Sequence, residues 1–516
     1  MKFIQMMDQP VEPGGLVEWS PYTEGGMAHW TADSRPTSHN HELHLRGAFE
    51  HRLRTHREGG RESWLGLAIE FDEPLSIPAI RGALTMWIDR HEVLRSHVVI
   101  WSDHLARLTT GPGTVKLKMG RVGWYSEAAP LLEQLAGTFD RATAPLQWPA
   151  YIFATVARER SFTLLFAADH SLVDGYSLIM AQHELIALYS AARRRTDHAL
   201  PAVGSYVDFS AYQRREADAA GSDHEAVAVW ADFLRDTGGK LPSFELADDP
   251  EYSEGSQYSD GSADTGGIDP AHPLSDLVPQ GSLTGALLDD EQTNRFTAVC
   301  SAAGGSLMSG VLAALAAVYA ELGGGPVLRC VIPRHTRGDQ QWFGALGWFV
   351  ATVPFRLDTS GVSDFGQLIG RAAEEMRRVR KAAGLPFLRV GEILMEVKND
   401  DAQRSSLPYE SQLSQAARAD FPEPKFVVSF IDLRFAPGHA EADAGRARVL
   451  RSHNYSSDEV YIWINRTASG LRISARFPSQ GRTHNQVGRY LSRFGDFLKQ
   501  IGDQSTFGSL PASRET

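Results

Sequence analysis

Residues 236–285 interrupt this 516-residue chain with the run DTGGKLPSFELADDPEYSEGSQYSDGSADTGGIDPAHPLSDLVPQGSLTG, rich in Gly, Ser, Asp and Pro and poor in periodic apolar residues. Such a run does not thread one core, so it predicts a linker or mobile surface segment between two lobes, 1–235 and 286–516. Apolar residues make up 42% of the chain, enough to fill two cores.

Each half alternates strands and helices. In IRGALTMWIDRHEVLRSHVVI, Ile80, Leu84, Trp87, Ile88 and Leu94 fall near one helical face before the strand-like SHVVIW. WPAYIFATVA and SFTLLFAA are aromatic and aliphatic runs joined by the charged turn RERS, which predicts an antiparallel pair. Beyond Gly175, Leu178, Ile179, Leu185, Ile186, Leu188 and Tyr189 recur near a period of 3.6 up to a basic end, the pattern of a helix. In the second half, LMSGVLAALAAVYAEL falls short of the ~20 residues that span a bilayer and predicts a core helix. EVYIWIN and LRISARF flank the turn RTASG and predict a hairpin. No short-period repeat interrupts this pattern, and a two-lobe α/β or α+β protein is expected.

The charge and motif content removes whole classes of function. The net charge is −12, with 51 Lys and Arg against 63 Asp and Glu, so no basic field is available for nucleic acid. The two cysteines, Cys300 and Cys330, lack metal or disulfide spacing and suit a reducing compartment; the amino terminus lacks a secretory pattern, and the cytoplasm is the expected location. GxxxxGK[ST], GxGxxG after a strand, GxSxG and HExxH do not occur, which removes support for common kinases, dehydrogenases, serine hydrolases and zinc proteases. His39, His41 and His44 in SHNHELHLR are close in sequence, but histidines at i and i+2 share a face only in a strand. No other ligand completes the set, so no metal site is expected.

One stretch carries the parts of a mechanism. LLFAADHSLVDGYSLIM, Leu164 to Met180, reads as strand, short connection and helix, a setting that holds a side chain rigidly toward a cleft. A neutral imidazole at His170 can accept a proton near neutral pH. Asp174 can steady the connection by pairing with an arginine, and Gly175 can permit a close approach or an unusual backbone angle. On residue types alone, Asp174 serves equally well as the N-cap of the helix, with His170 an ordinary loop residue.

DHSLVDGYS resembles the HHxxxDG signature of the condensation-domain superfamily, which includes chloramphenicol acetyltransferase-like enzymes and polyketide-associated acyltransferases. Five further segments resemble that family's motifs, in its order: DRHEVLRSH at Asp89–His97, SYVDFSAYQ at Ser205–Gln213, LGWFVATVPFRL, LPFLRV and PKFVVSFIDLR. The resemblance implies two chloramphenicol-acetyltransferase-like lobes in a V-shaped pseudo-dimer, with the active site at their interface. It also implies His170 as the catalytic histidine, and Asp169, Asp174 and Gly175 as structural support of the motif. Arg95, Arg329 and Arg334 are the candidate partners of Asp174. Residues Asp89 to Arg95 are assigned to lobe packing.

Asp169 stands where condensation domains carry their first histidine. That departure, with GGLVEWSP near the amino terminus and GWF downstream, is similar to polyketide-associated acyltransferases and favours a freestanding enzyme. The implied reaction transfers an acyl group from a thioester on the phosphopantetheine of an acyl- or peptidyl-carrier protein, or on CoA, to a small-molecule hydroxyl or amine. No tightly bound cofactor is expected, and a monomer is. The alternative is a non-catalytic member that docks a carrier protein or recruits a tailoring enzyme. For carrier docking, RRVRK at Arg377–Lys381 is a candidate patch, set against a solvated helix face on which Glu374 pairs with Arg378.

Overall fold

The computed structural model describes residues 3–8, 11–56, 63–101, 104–247, 278–404, 424–444, 447–453 and 455–504. A seven-stranded sheet dominates the first lobe, in the order β1 (Phe3–Gln5), β14 (Ala447–Arg451), β4 (Trp64–Phe71), β9 (Phe162–Asp169), β8 (Tyr151–Ala157), β2 (Gly15–Tyr22) and β7 (Lys116–Trp124). The expected antiparallel pair is β8 and β9, registered Tyr151 to Ala168 through Ala157 to Phe162. Every residue of β9 is buried, which explains its unbroken apolar run. Helix α2 (Ile77–Arg90) and helix α4 (Gly175–Arg194) pack together over this sheet, with Trp87 edge-on to Phe153 and Phe166. Helices α1 (His39–Thr55), α3 (Ala128–Ala142), α5 (Tyr206–Ala219) and the small sheet β3 (Thr31–Asp33), β6 (Leu105–Thr109), β5 (Ser96–Ile100) complete the half.

The second lobe is built on a six-stranded sheet ordered β10 (Gln280–Asp289), β16 (Gly470–Pro478), β15 (Val460–Thr467), β13 (Phe426–Asp432), β11 (Val327–His335) and β12 (Val350–Asp358). The predicted hairpin is β15 and β16, antiparallel with Thr467 opposite Gly470. Its helices are α7 (Asp290–Ala302), α8 (Leu307–Glu321), α9 (Phe365–Val379), α10 (Phe387–Arg404) and the C-terminal Gly481–Gln504. Helix α8 is the alanine-rich segment, buried from Leu307 to Tyr319 at all but one position; small side chains let neighbours approach from every direction. Among the described residues no single helix is long and apolar enough to cross a membrane.

The lobes exchange parts. Strand β14 lies antiparallel to β4 in the first sheet although it follows β13 in the chain. The loop between β11 and β12 sends Trp342, Ala345, Leu346 and Phe349 into the first core. In return α6 (Glu225–Asp236) buries Val229, Trp230 and Phe233 in the second core, where burying a large apolar side chain stabilises by roughly 1.5–3 kcal/mol. Most of the Gly/Ser/Asp-rich run, 248–277, lies outside the described residues. Its two described ends are packed: Phe244 and Leu246 join the second core, and β10 begins at Gln280. In the RRVRK segment, Arg378 pairs with Glu375 at 2.7 Å and with Asp232, not with Glu374, and Lys381 pairs with Glu225.

Candidate active site

Strand β9 delivers Asp169 to the edge of the lobe junction, and α4 starts six residues later. Asp174 caps that helix, accepting at Oδ1 from the Ser177 amide at 2.7 Å, so the capping expectation holds. The same carboxylate is also ion-paired across the junction. Arg337 donates from Nη2 to both of its oxygens at 3.2 Å, and the Phe349 amide donates to Oδ2 at 2.9 Å. Arg337 is itself held by donation to the carbonyls of Trp342 (2.9 Å) and Ala345 (2.7 Å), with its guanidinium 3.9 Å above the Phe349 ring. Ser177 completes the seam: its hydroxyl donates to the Gly347 carbonyl and accepts from the Gly347 amide.

The partner of Asp174 is therefore Arg337, and none of Arg95, Arg329 and Arg334. Arg95 spends its donors on the carbonyls of Ile88, Asp89 and Thr110. Arg329 sits near the start of β11, opposite Arg356 and a strand's length away. Arg334 lies on β11 beside Arg380, which with burial depresses its pKa. Arg337 lies just beyond the strand, in the loop that enters the first lobe; its place in PRHTRGD was the available signal. Gly175 opens α4 without a left-handed backbone angle, so conformational freedom is not its contribution.

His170 packs its ring against Trp348 of the second lobe, with centroids 4.7 Å apart. Its Nδ1 is buried without a partner in hydrogen-bonding geometry, and its own backbone carbonyl opposes the effect of burial on its pKa. Nε2 has no hydrogen bond among the described residues, and with the proton on Nδ1 it keeps its lone pair free. Burial is the largest influence on His170 and lowers its pKa; the His44 ring acts in the same direction, while Asp169 and Asp174 oppose it. The lowered pKa favours a neutral ring near neutral pH, and in the tautomer that carries its proton on Nδ1 the base is Nε2.

Asp169 is not free. It accepts from His44 Nε2 at 3.0 Å on both oxygens, from Ser63 Oγ at 2.9 Å and from the Ser171 amide at 2.9 Å. Burial opposes its charge, but the His44 ring and these hydrogen bonds outweigh it and hold the carboxyl well below the usual range. The three histidines of SHNHELHLR, all on α1, point to separate partners elsewhere: His39 to Asp218, His41 to Thr37 and His44 to Asp169. No cluster of metal-ligating side chains occurs among the described residues.

The segment Asp89–Arg95 is tied by hydrogen bonds to α4 and to the loop from the second lobe. Glu184 of α4 receives Trp87 Nε1, Arg90 Nε and His91 Nε2, and the Leu346 amide reaches His91 Nδ1. Asp89 accepts from the Gly113 amide.

A histidine at the junction of two mixed lobes, beside an aspartate–arginine pair that crosses between them, is the arrangement that the resemblance to condensation-type acyltransferases implied. The Condensation domain profile matches residues 57–435, and the chain belongs to that family. It is similar to "Acyltransferase PapA3" of Mycobacterium tuberculosis, 25% identical over 96% of this chain and 97% of the relative. It is also 24% identical to "Trehalose-2-sulfate acyltransferase PapA2" of the same organism, over 98% and 97%. A solved structure titled "PapA2 acyl transferase" shares the fold, with a TM-score of 0.79 at 21% identity, covering 98% of this chain and 100% of that one.

Proposed function

We propose that this acyltransferase moves an acyl group from a thioester to a hydroxyl, with His170 Nε2 as general base, in natural-product or lipid biosynthesis. The observation that carries this reading is the state of His170: neutral through burial, at the lobe junction, with Nε2 unoccupied among the described residues. The acceptor oxygen attacks the thioester carbonyl carbon as Nε2 takes its proton. The tetrahedral intermediate then collapses, the C–S bond breaks, and the imidazolium returns the proton to the departing thiolate. The donor is the phosphopantetheine arm of a carrier protein or CoA, which carry the same thioester. The name of the PapA2 relative, a trehalose-2-sulfate acyltransferase, supports a hydroxyl acceptor and an ester product.

Intact-mass analysis of products from a panel of acyl-CoA and acyl-carrier donors, each offered hydroxyl and amine acceptors, tests this. Ester formation that disappears in His170→Ala is the expected result. Ester synthesis undiminished in that variant overturns the base assignment, and amide as the sole product overturns the hydroxyl.

A further inference from the structure

The site holds a second histidine that the motif does not contain. Asn40 and His44 are one turn apart on α1 and share a face. Asn40 Nδ2 donates to the Val350 carbonyl at 2.9 Å, two residues beyond Trp348, while the His44 ring meets Trp348 edge-on at 5.9 Å. Trp348 thus touches both His44 and His170. The start of α1 is fixed in turn by Ser38, whose amide donates to Ser210 Oγ on α5. This helix face is built against the junction and brings His44 to Asp169 across 125 residues of sequence.

We propose that His44 is a positioning residue for the general base: by holding Asp169 from α1, it sets the buried carboxylate beside His170 and fixes the connection that carries His170. The proposal rests on the reading of His170 as the base. Asp169 passes the constraint on, since its Oδ1 accepts from the Ser171 amide and its carbonyl from the Leu172 amide, on either side of the turn after His170. The other groups around the site are already spoken for. Asp174 also favours the imidazolium, but it acts on His170 less than Asp169 does and is paired with Arg337; His41, the next histidine on α1, is held neutral by burial at a pKa of about 3. Asp169 is then the carboxylate whose field most favours the imidazolium when His170 takes a proton, and His44 is the nitrogen donor that tempers that field.

Opposite substitutions should therefore have opposite effects. Asp169→Asn removes the negative charge and should lower the protonation midpoint of His170. His44→Ala leaves the carboxylate with one donor fewer and should raise it, each by about one pH unit. His44→Gln, which keeps a donor, should fall between His44→Ala and the parent. The midpoint is read from the histidine Cε1–H resonance that His170→Asn abolishes, and from the acidic limb of kcat/KM. The resonance midpoint does not depend on the fraction folded, and the kcat/KM limb is corrected for it by circular dichroism at each pH. Shifts of the same sign, or an unmoved midpoint despite lost activity, would make His44 a packing residue and overturn the proposal. Ester synthesis that survives His170→Ala instead overturns the base reading on which it stands.

Discussion

Asp174 in the first lobe and Arg337 in the second form an ion pair with side chains 3% and 1% exposed, and the same carboxylate caps α4. One side chain thus joins a local task, ending the loop after His170, to a global one, locking the two lobes. A buried pair contributes little over an apolar pair of the same shape, but removing one partner leaves a charge stranded.

Arg337→Leu should accordingly lower unfolding stability by about 3–5 kcal/mol, read from urea denaturation. Asp174→Asn can keep the cap through its one carbonyl oxygen but loses the charge and the acceptor for the Phe349 amide, so it should be destabilising yet milder than Asp174→Ala, by about 1 kcal/mol.

His170→Ala should reduce kcat/KM for ester formation by about 10²- to 10⁴-fold while the thermal midpoint stays close to that of the parent. Because burial depresses the His170 pKa, the active neutral ring persists below the ordinary histidine range. The acidic limb of the rate profile should therefore lie below about pH 6.5. An amine acceptor, intrinsically more reactive toward thioesters, should suffer less from the substitution.

Stability should fall on acidification before any carboxylate protonates. Burial lowers the pKa of His41 to about 3 and of His97 to about 4, and Arg107 acts on both in the same direction. Below about pH 6.5 the unfolded chain binds protons at these positions that the folded chain refuses. Their stabilisation is complete above that pH and is lost as pH drops toward about 4. Urea midpoints between pH 7.5 and 5 should decline, and His97→Gln should flatten the decline.

Gly347→Ala should damage the site through packing. A Cβ at Gly347 would come within 2.3 Å of the Tyr206 ring, whose hydroxyl donates to the Trp348 carbonyl. Overpacking of this kind costs about 1–3 kcal/mol. The displaced Trp348 should lower kcat/KM beyond what the folded fraction explains, measured by comparing active-site titration with circular dichroism.

Much of the fold was legible because its signals are local. The continuous apolar run of β9, the 3.6 period of α4 and the alanine surface of α8 each state their burial within one element, and the structure confirms them. Exchange between lobes was not legible: β14, in the first sheet, and α6, in the second core, have ordinary patterns that do not name the surface they cover. In SHNHELHLR, proximity in sequence said nothing of the histidines' partners, and the helix turns each toward a different neighbour.

The sequence by itself determined the strand, connection and helix around His170 and the oddity of Asp169, and made Asp174 a candidate cap, since each follows from residue type and spacing within a few turns. Only the tertiary structure decided that Asp174 pairs with Arg337, 163 residues away, and Asp169 with His44. A charge or a donor is recognised by distance and burial, and neither leaves a periodic trace in the chain. Three nearby arginines looked equivalent as letters until the loop after β11 carried a fourth into the junction.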